Sequence, residues 1–227
     1  TAAAYRSFNW KMISVKRKPA GTKPVPAPRQ RGSLDRVLVD AAMDLFASYG
    51  YGGTSLSRIA RAAGVTKGAL YWHFSDKEEF FLAVMDKVLG EWSEPYKNYQ
   101  PASNRKEFVQ EFLWLFENMA VLNEKNPWVS RLLLIITLES HKISRRVLRA
   151  MRRFNLGSLK IIQELIERGI RLGCLDPNLD PAWAAAQIFA SYLGLANLWY
   201  LHGPRYDLRK SLIRQGNDYL RQWSVAK

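Results

Sequence analysis

Between Thr54 and Lys77 the chain reads TSLSRIARAAGVTKGALYWHFSDK. Lys67, Ala69, Tyr71, Trp72 and His73 fall in one short helical run, Lys67 to Phe74, and are cationic, small, or aromatic with a polar tip. Side chains of these kinds cannot all be buried at once, and an exposed face so composed suits a DNA groove. The chemistry is recognition. Lys67 can make a bidentate contact to guanine, Ala69 can meet a thymine methyl, and Tyr71 can meet a base edge or a phosphate. Gly68 lets the backbone approach. Thr54 and Ser55 offer hydroxyls at the start of the preceding helix, where they can bond free N–H groups or a phosphate. Lys77 falls in the first turn of the following helix, where the macrodipole disfavours a cation. A lysine there makes sense beside an anion, with the free N–H groups completing a phosphate clamp.

A pair of helices must hold these groups in place. Leu56, Ile59, Ala60 and Ala63 form one apolar face, and Gly64 follows where a left-handed residue would stop the helix. Val65 can plug the gap, Thr66 is an N-cap for the second helix, and Leu70 and Phe74 point back at i, i+4 spacing. Ala60 is small where the two helices cross. Ser75 is expected to cap the next helix, with Glu78 completing a capping box. In front, a helix from an N-capping Ser33 to Tyr49 is expected to turn Val37, Leu38, Ala41, Leu45 and Tyr49 inward. Gly50, Gly52 and Gly53 then break the chain. No strand precedes them and no GxxxxGK or GxGxxG spacing is met, so they are not read as a nucleotide-binding loop.

A helical hairpin with a glycine turn occurs in many all-α proteins. What separates this one is its ending, LYWHFSDKEEFF. From Val39 to Val84 the chain resembles the DNA-binding domain of the TetR family of bacterial transcriptional regulators. The resemblance is carried by A-x-x-L-F-x-x-x-G-Y at Ala42 to Tyr51, IARAAGV at Ile59 to Val65 and LYWHFSDKEE at Leu70 to Glu79. Through AGVTKGALYWHF the wording is similar to the multidrug-efflux repressors of the AcrR type. The resemblance implies an all-α fold in two halves, a three-helix N-terminal reader and a larger C-terminal domain for ligand binding and dimerisation. It further implies phosphate contacts from Trp72, His73 and Lys77. Some members also use the position of Ser57, whose hydroxyl reaches less far than the long basic side chain they carry there.

The composition fits a nucleic-acid partner. The chain of 227 residues has a net charge of +14; residues 1–31 hold Arg6, Lys11, Lys16, Arg17, Lys18, Lys23, Arg29 and Arg31 with no acid, leaving +6 on the rest. Such a tail either binds polyanions or is simply solvated. Residues 1–32 also hold Pro19, Pro24, Pro26 and Pro28 and are expected to stay extended, with Lys16 to Lys18 either a minor-groove arm or a disordered stretch. Met12 is a candidate start, with residues 1–11 either native or vector-derived. Cys174, the sole cysteine, excludes an intramolecular disulfide and a cysteine-cluster metal site. The histidines, His73, His141 and His202, have no metal-ligand spacing, and no serine sits in G-x-S-x-G. Neither an enzyme nor a cofactor is expected. The longest apolar run, Leu132 to Ile136, is far short of the ~20 residues that span a bilayer, so the chain is expected to be soluble and cytoplasmic.

The expected divisions are residues 1–32 as tail, 33–78 as reader and 79–227 as helical effector and dimer domain. Asp76 to Trp92 reads as a linking helix with Phe80, Phe81, Val84 and Val88 apolar, ended by a Pro95 to Pro101 loop; in the family the equivalent helix transmits ligand state. From Asn104 to Lys125, Phe108, Phe112, Leu115, Met119 and Leu122 repeat at helical spacing, and FLWLF is apolar nearly all round. Asn126 and Pro127 start a helix whose Leu132 to Leu138 run should be central. A long basic helix from His141 to Leu172 is stopped by Gly173. Trp114, Phe116, Trp128, Phe189, Tyr192 and Trp199 are candidate contacts for a small hydrophobic or cationic effector, although aromatics at helical spacing are also ordinary core. Ala186, Ala190 and Gly194, with Leu208, Leu212 and Tyr219, form either a four-helix seam between two copies or part of the monomer's own core. The expected partners are a palindromic DNA operator, the effector and a second copy of the chain. The alternative is a sequence-tolerant architectural DNA binder or a regulator acting through a protein partner.

Overall fold

The computed structural model describes residues 31–93, 99–127, 134 and 144–225. The regular elements among them are helices: α1 (Arg31–Tyr49), α2 (Leu56–Ala62), α3 (Lys67–His73), α4 (Lys77–Ser93), α5 (Arg105–Lys125), α6 (Arg145–Arg171), α7 (Pro181–His202), a short 3-10 turn (Gly203–Arg205) and α8 (Leu208–Trp223). The all-α expectation holds. These residues fall into two compact units, one of residues 31–91 with 134 and 144–150 and one of 92–93 and 99–127 with 151–225. The division expected after residue 78 would cut α4 in its first turn. Most of α4, as far as Glu91, groups with the reader, where Phe81 meets Phe46 and Phe80 meets Phe74.

In the first unit α1 backs the hairpin, but in a different register from the one its sequence suggests. Val39, Ala42, Met43, Phe46 and Ala47 are buried, whereas Val37 and Tyr49 are half exposed. Apolar residues surround this helix, so periodicity allows two faces. The one chosen buries the larger Met43 and Phe46, and Phe46 meets Phe81 edge-on at 5.0 Å and stacks on Tyr51 at 5.8 Å. The helix is already formed at Arg31, so Ser33 lies inside it and does not cap it.

In the second unit Phe108, Phe112, Leu115 and Met119 of α5 are buried as expected. They meet Ile162, Leu165 and Ile166 of α6, Ile188 and Tyr192 of α7, and Leu208 and Leu212 of α8. Close approach of α8 to α5 rests on Gly216, where an added Cβ would lie 2.7 Å from the Phe116 ring. The helices are punctuated by Asn104, Asp180 and Asp207, whose side chains accept from the first free N–H groups. Gly173, at φ 65°, ends α6, with Cys174 N donating to Gly169 O at 2.8 Å. Cys174 itself is buried, and burial pushes its thiol pKa up, in keeping with a plain interior thiol. One ion pair crosses this core. Arg168 and Glu111 are both nearly inaccessible and bonded to each other, and Glu111 also accepts from Ala102 N at 3.0 Å.

The seam expected between copies is only partly available. Leu208 and Leu212 are 3% and 0% exposed. They fill the monomer's own core because they are the apolar stripe of a strongly amphipathic α8. Tyr219 also faces inward, with its hydroxyl 2.8 Å from Ser191 Oγ and its ring stacked on Trp223 at 4.2 Å. Ala186, Ala190 and Gly194, by contrast, are exposed along α7. In the Leu132 to Leu138 run only Leu134 is described, and it is helical and exposed. The tail before Arg31, Pro95, Trp128 and the side chain of Val88 lie outside the described residues.

Candidate nucleic-acid interface

The hairpin is built almost wholly by local chemistry. Ser55 Oγ accepts from Arg58 N at 3.2 Å, which makes it the N-cap of α2. Thr54 is different. It is 2% exposed, and its hydroxyl donates to Leu45 O at 3.1 Å and Gly50 O at 2.9 Å, so that side chain ties α2 to α1 and does not face outward. Leu56, Ile59 and Ala60 are buried, as expected. After Ala63, Gly64 has φ 69°; its N–H reaches Arg61 O at 3.2 Å and Val65 N reaches Ala60 O at 2.9 Å. This paired closure needs the left-handed residue, which is why a glycine stands there.

Thr66 Oγ1 then accepts from Ala69 N at 3.2 Å and starts α3. Leu70 is 2% exposed and anchors the helix to the unit's core. On the opposite side Lys67, Gly68 and Ala69 are exposed, with Tyr71 and Trp72 at 47% and 58%. The Lys67 ammonium lies 5.4 Å from the Tyr71 ring centre, so cation and aromatic form one surface. His73 ends the helix, and Phe74 turns back to meet Phe80 edge-on at 5.0 Å.

Around this face two details depart from the sequence reading. Asp76, one residue later than Ser75, caps α4, its Oδ1 accepting from Glu79 N at 2.7 Å. Glu79, not Glu78, reaches back, accepting from Ser75 N at 2.8 Å and Ser75 Oγ at 2.6 Å, and these bonds hold its carboxyl below the usual range. Both neighbours can cap, and the carboxylate is the stronger acceptor of the two. Lys77 is half-buried. Its ammonium donates to Tyr51 O at 2.7 Å and lies 4.3 Å from the Tyr51 ring centre, and burial lowers its pKa. The charge expected at a phosphate therefore already has an internal partner.

A residue absent from the sequence reading is also exposed on the hairpin. Arg58 is exposed, and its guanidinium lies 3.6 Å from the centre of the half-exposed Tyr49 ring. Nothing in the pattern marks a pair nine residues apart across a glycine loop. Ser57, beside it, is half-buried.

Among the described residues, the candidate effector side chains divide between buried and half-buried positions. Phe116 and Tyr192 are packed in the core, where Tyr192 Oη accepts from Asn123 Nδ2 at 2.7 Å. Phe189 and Trp199 are half-buried against the same core, and Trp114 stacks on Tyr99 at 5.5 Å. Among the described residues no group of acidic, histidine or cysteine side chains could hold a metal ion, and no helix is long and apolar enough to cross a membrane.

The comparisons with known proteins agree with this geometry. Residues 38–84 match the family described as bacterial regulatory proteins, tetR family. The HTH-type transcriptional regulator AcrR of Shigella flexneri is 29% identical over 189 residues, covering 81% of this chain and 84% of its own length. The fatty acid metabolism regulator protein of Bacillus subtilis (strain 168) is 24% identical over 175 residues, 75% of this chain and 86% of the relative. Among solved structures, the transcriptional regulator FadR from Bacillus subtilis in complex with stearoyl-CoA is similar in fold. Its TM-score is 0.61 at 23% identity, over 82% of this chain and 96% of that one. These relatives are regulators and not enzymes, in line with the sequence reading. Residues 38–84 match the DNA-binding domain of the tetR family of bacterial regulatory proteins, and over most of its length the chain that carries them is similar to transcriptional regulators.

Proposed function

We propose that the protein is a dimeric, cytoplasmic repressor that reads a palindromic operator through α3 and is released from it by a small apolar effector. The observation that carries the reading is the exposed Lys67, Ala69, Tyr71 and Trp72 face on a helix whose other side is fixed by Leu70. Lys67 is assigned to guanine, Ala69 to a thymine methyl and Tyr71 to a base or phosphate, with Ser55, Ser57, Thr66, Gly68, Trp72 and His73 alongside the backbone. Lys77 is kept as a phosphate contact that must leave or share its bond to Tyr51. Arg58 is added, because a guanidinium held against a ring at the surface is already ordered for a phosphate.

Two copies are needed because a palindrome requires two reading helices about 34 Å apart. The surface that supports pairing is the outer face of α7, where Trp183, Ala186, Ala190, Gly194, Leu198 and Leu201 are exposed on one stripe. Small residues every fourth position let a second copy of α7 approach closely.

For the effector, the relatives' names offer two classes. FadR from Bacillus subtilis was solved with stearoyl-CoA, and NalD from Pseudomonas aeruginosa, similar in fold, is the secondary repressor of the MexAB-OprM multidrug efflux pump. A molecule with an apolar chain suits both this core and both names. The test is a titration of the protein on DNA flanking its own gene with acyl-CoA thioesters and with hydrophobic cations. The proposal expects one class to weaken binding at least tenfold while random-sequence DNA is unaffected. Indifference to both would remove the effector from the account.

A further inference from the structure

From residue 140 to residue 163 the chain holds Lys142, Arg145, Arg146, Arg149, Arg152, Arg153 and Lys160 and no acid. All but Lys142, which lies outside the described residues, stand on α6. The buried Val147, Ala150, Met151, Phe154, Ser158 and Ile161 fix that helix, and Arg145, Arg149, Arg152, Arg153 and Lys160 are exposed on its other side.

This arrangement works against the stability of its own helix in two independent ways. Arg145, Arg149 and Arg153 repeat at i, i+4, and Arg149 and Arg152 at i, i+3, so like charges face each other on neighbouring turns. The cluster also begins in the first turn, which holds no acid, where the macrodipole favours anions. By comparison α4 has Glu78 and Glu79 in its first turn and α5 has Glu107. Arg146 is 3.8 Å from Glu78, but Arg145, Arg149, Arg152 and Arg153 have no ion-pair partner among the described residues. An uncompensated cationic face on a firmly packed helix is complementary to a polyanion supplied from outside.

We propose that this arginine face of α6 is a second, sequence-independent DNA-binding surface that takes the phosphate backbone. Guanidinium groups match phosphate oxygens bidentately, and a duplex offers a charge every ~1.7 Å of its axis. DNA is the occupant because it is the polyanion that the proposed function, on which this inference rests, already brings to the chain. Leu156, at 67% exposure, is the only large apolar side chain exposed on the described part of this face. A protein interface has a broader apolar centre, and a helix lying in a membrane has a broader apolar face.

The test is the triple variant Arg149→Gln, Arg152→Gln, Arg153→Gln, with binding to a random-sequence duplex followed through a salt series. Each lost phosphate contact removes about 0.9 from the slope of log K against log salt, so the slope should become shallower by about 2–3. Its thermal midpoint should stay level or rise, since repulsion has been removed. The single variant Arg152→Gln serves if the triple does not fold, with a change of about 0.9. An unchanged slope would overturn the proposal, as would loss of binding to phosphatidylglycerol vesicles with DNA binding intact. Because the duplex carries no operator, the result is readable whether or not the palindrome reading holds.

Discussion

The Lys77 ammonium donates a 2.7 Å hydrogen bond to the Tyr51 carbonyl and lies 4.3 Å from the centre of that residue's ring. The contact joins the first turn of α4 to the loop that precedes α2, so it holds the reading hairpin against the helix behind it. Lys77 therefore has a structural role before it has any at DNA. Lys77→Ala is expected to destabilise the N-terminal unit by about 1 kcal/mol, the net value of a hydrogen bond near the surface. It should also weaken specific and random DNA alike. Thermal unfolding followed by circular dichroism reads the first effect. An unchanged midpoint would reduce Lys77 to a phosphate contact alone.

Tyr51 gives a pH signature. Its phenol is pushed up to about 12 from the ordinary 10, by burial first and then by the nearby Glu78 and Asp76 carboxylates. The folded state holds this proton where the unfolded state has lost it. The stabilising contribution is therefore complete below pH ~10 and is lost as pH rises towards ~12. Lysines titrate in the same range, so the informative quantity is the difference between wild type and Tyr51→Phe. The variant should lose less stability over this window, and parallel curves would contradict the assignment.

Gly216 supports the second unit. A methyl group there would press on the Phe116 ring, itself 1% exposed and closely packed. Gly216→Ala is expected to cost about 1–3 kcal/mol through overpacking, in spite of alanine's better helix propensity. Chemical denaturation measures the balance, and a stabilised variant would mean that Phe116 moves aside freely.

Ala190 lies at the middle of the exposed α7 stripe. Ala190→Glu should leave the fold intact, because the side chain points away from the monomer core, and should shift sedimentation from dimer to monomer. Persistence of the dimer would move the interface away from α7.

What could be read in advance follows the range of the forces involved. Gly64 and Thr66 were legible because a left-handed turn and an N-cap are decided within a few residues. The inward side of α5 was legible because Phe108, Phe112, Leu115 and Met119 leave one choice of face. In α1 apolar residues surround the helix, and only the size of Met43 and Phe46 against Phe81 selects the register. The cap of α4 was misplaced by one residue because Ser75 and Asp76 are both competent. Leu208 and Leu212 were legible as a stripe, but a stripe does not say whether its cover is the same chain or a second copy. The Lys77–Tyr51 and Arg58–Tyr49 contacts leave no periodic trace at all.

The most direct test of the account is a footprint of the protein on DNA flanking its own gene, taken through a salt series with random-sequence competitor, for wild type and Lys67→Ala. The account predicts a protected palindrome, a specificity ratio above ~10³ for wild type, and a loss for Lys67→Ala that falls mainly on one base position of each half-site. Uniform, steeply salt-dependent coverage with equal losses on every sequence would contradict it. The cationic surfaces, and not the exposed face of α3, would then govern binding.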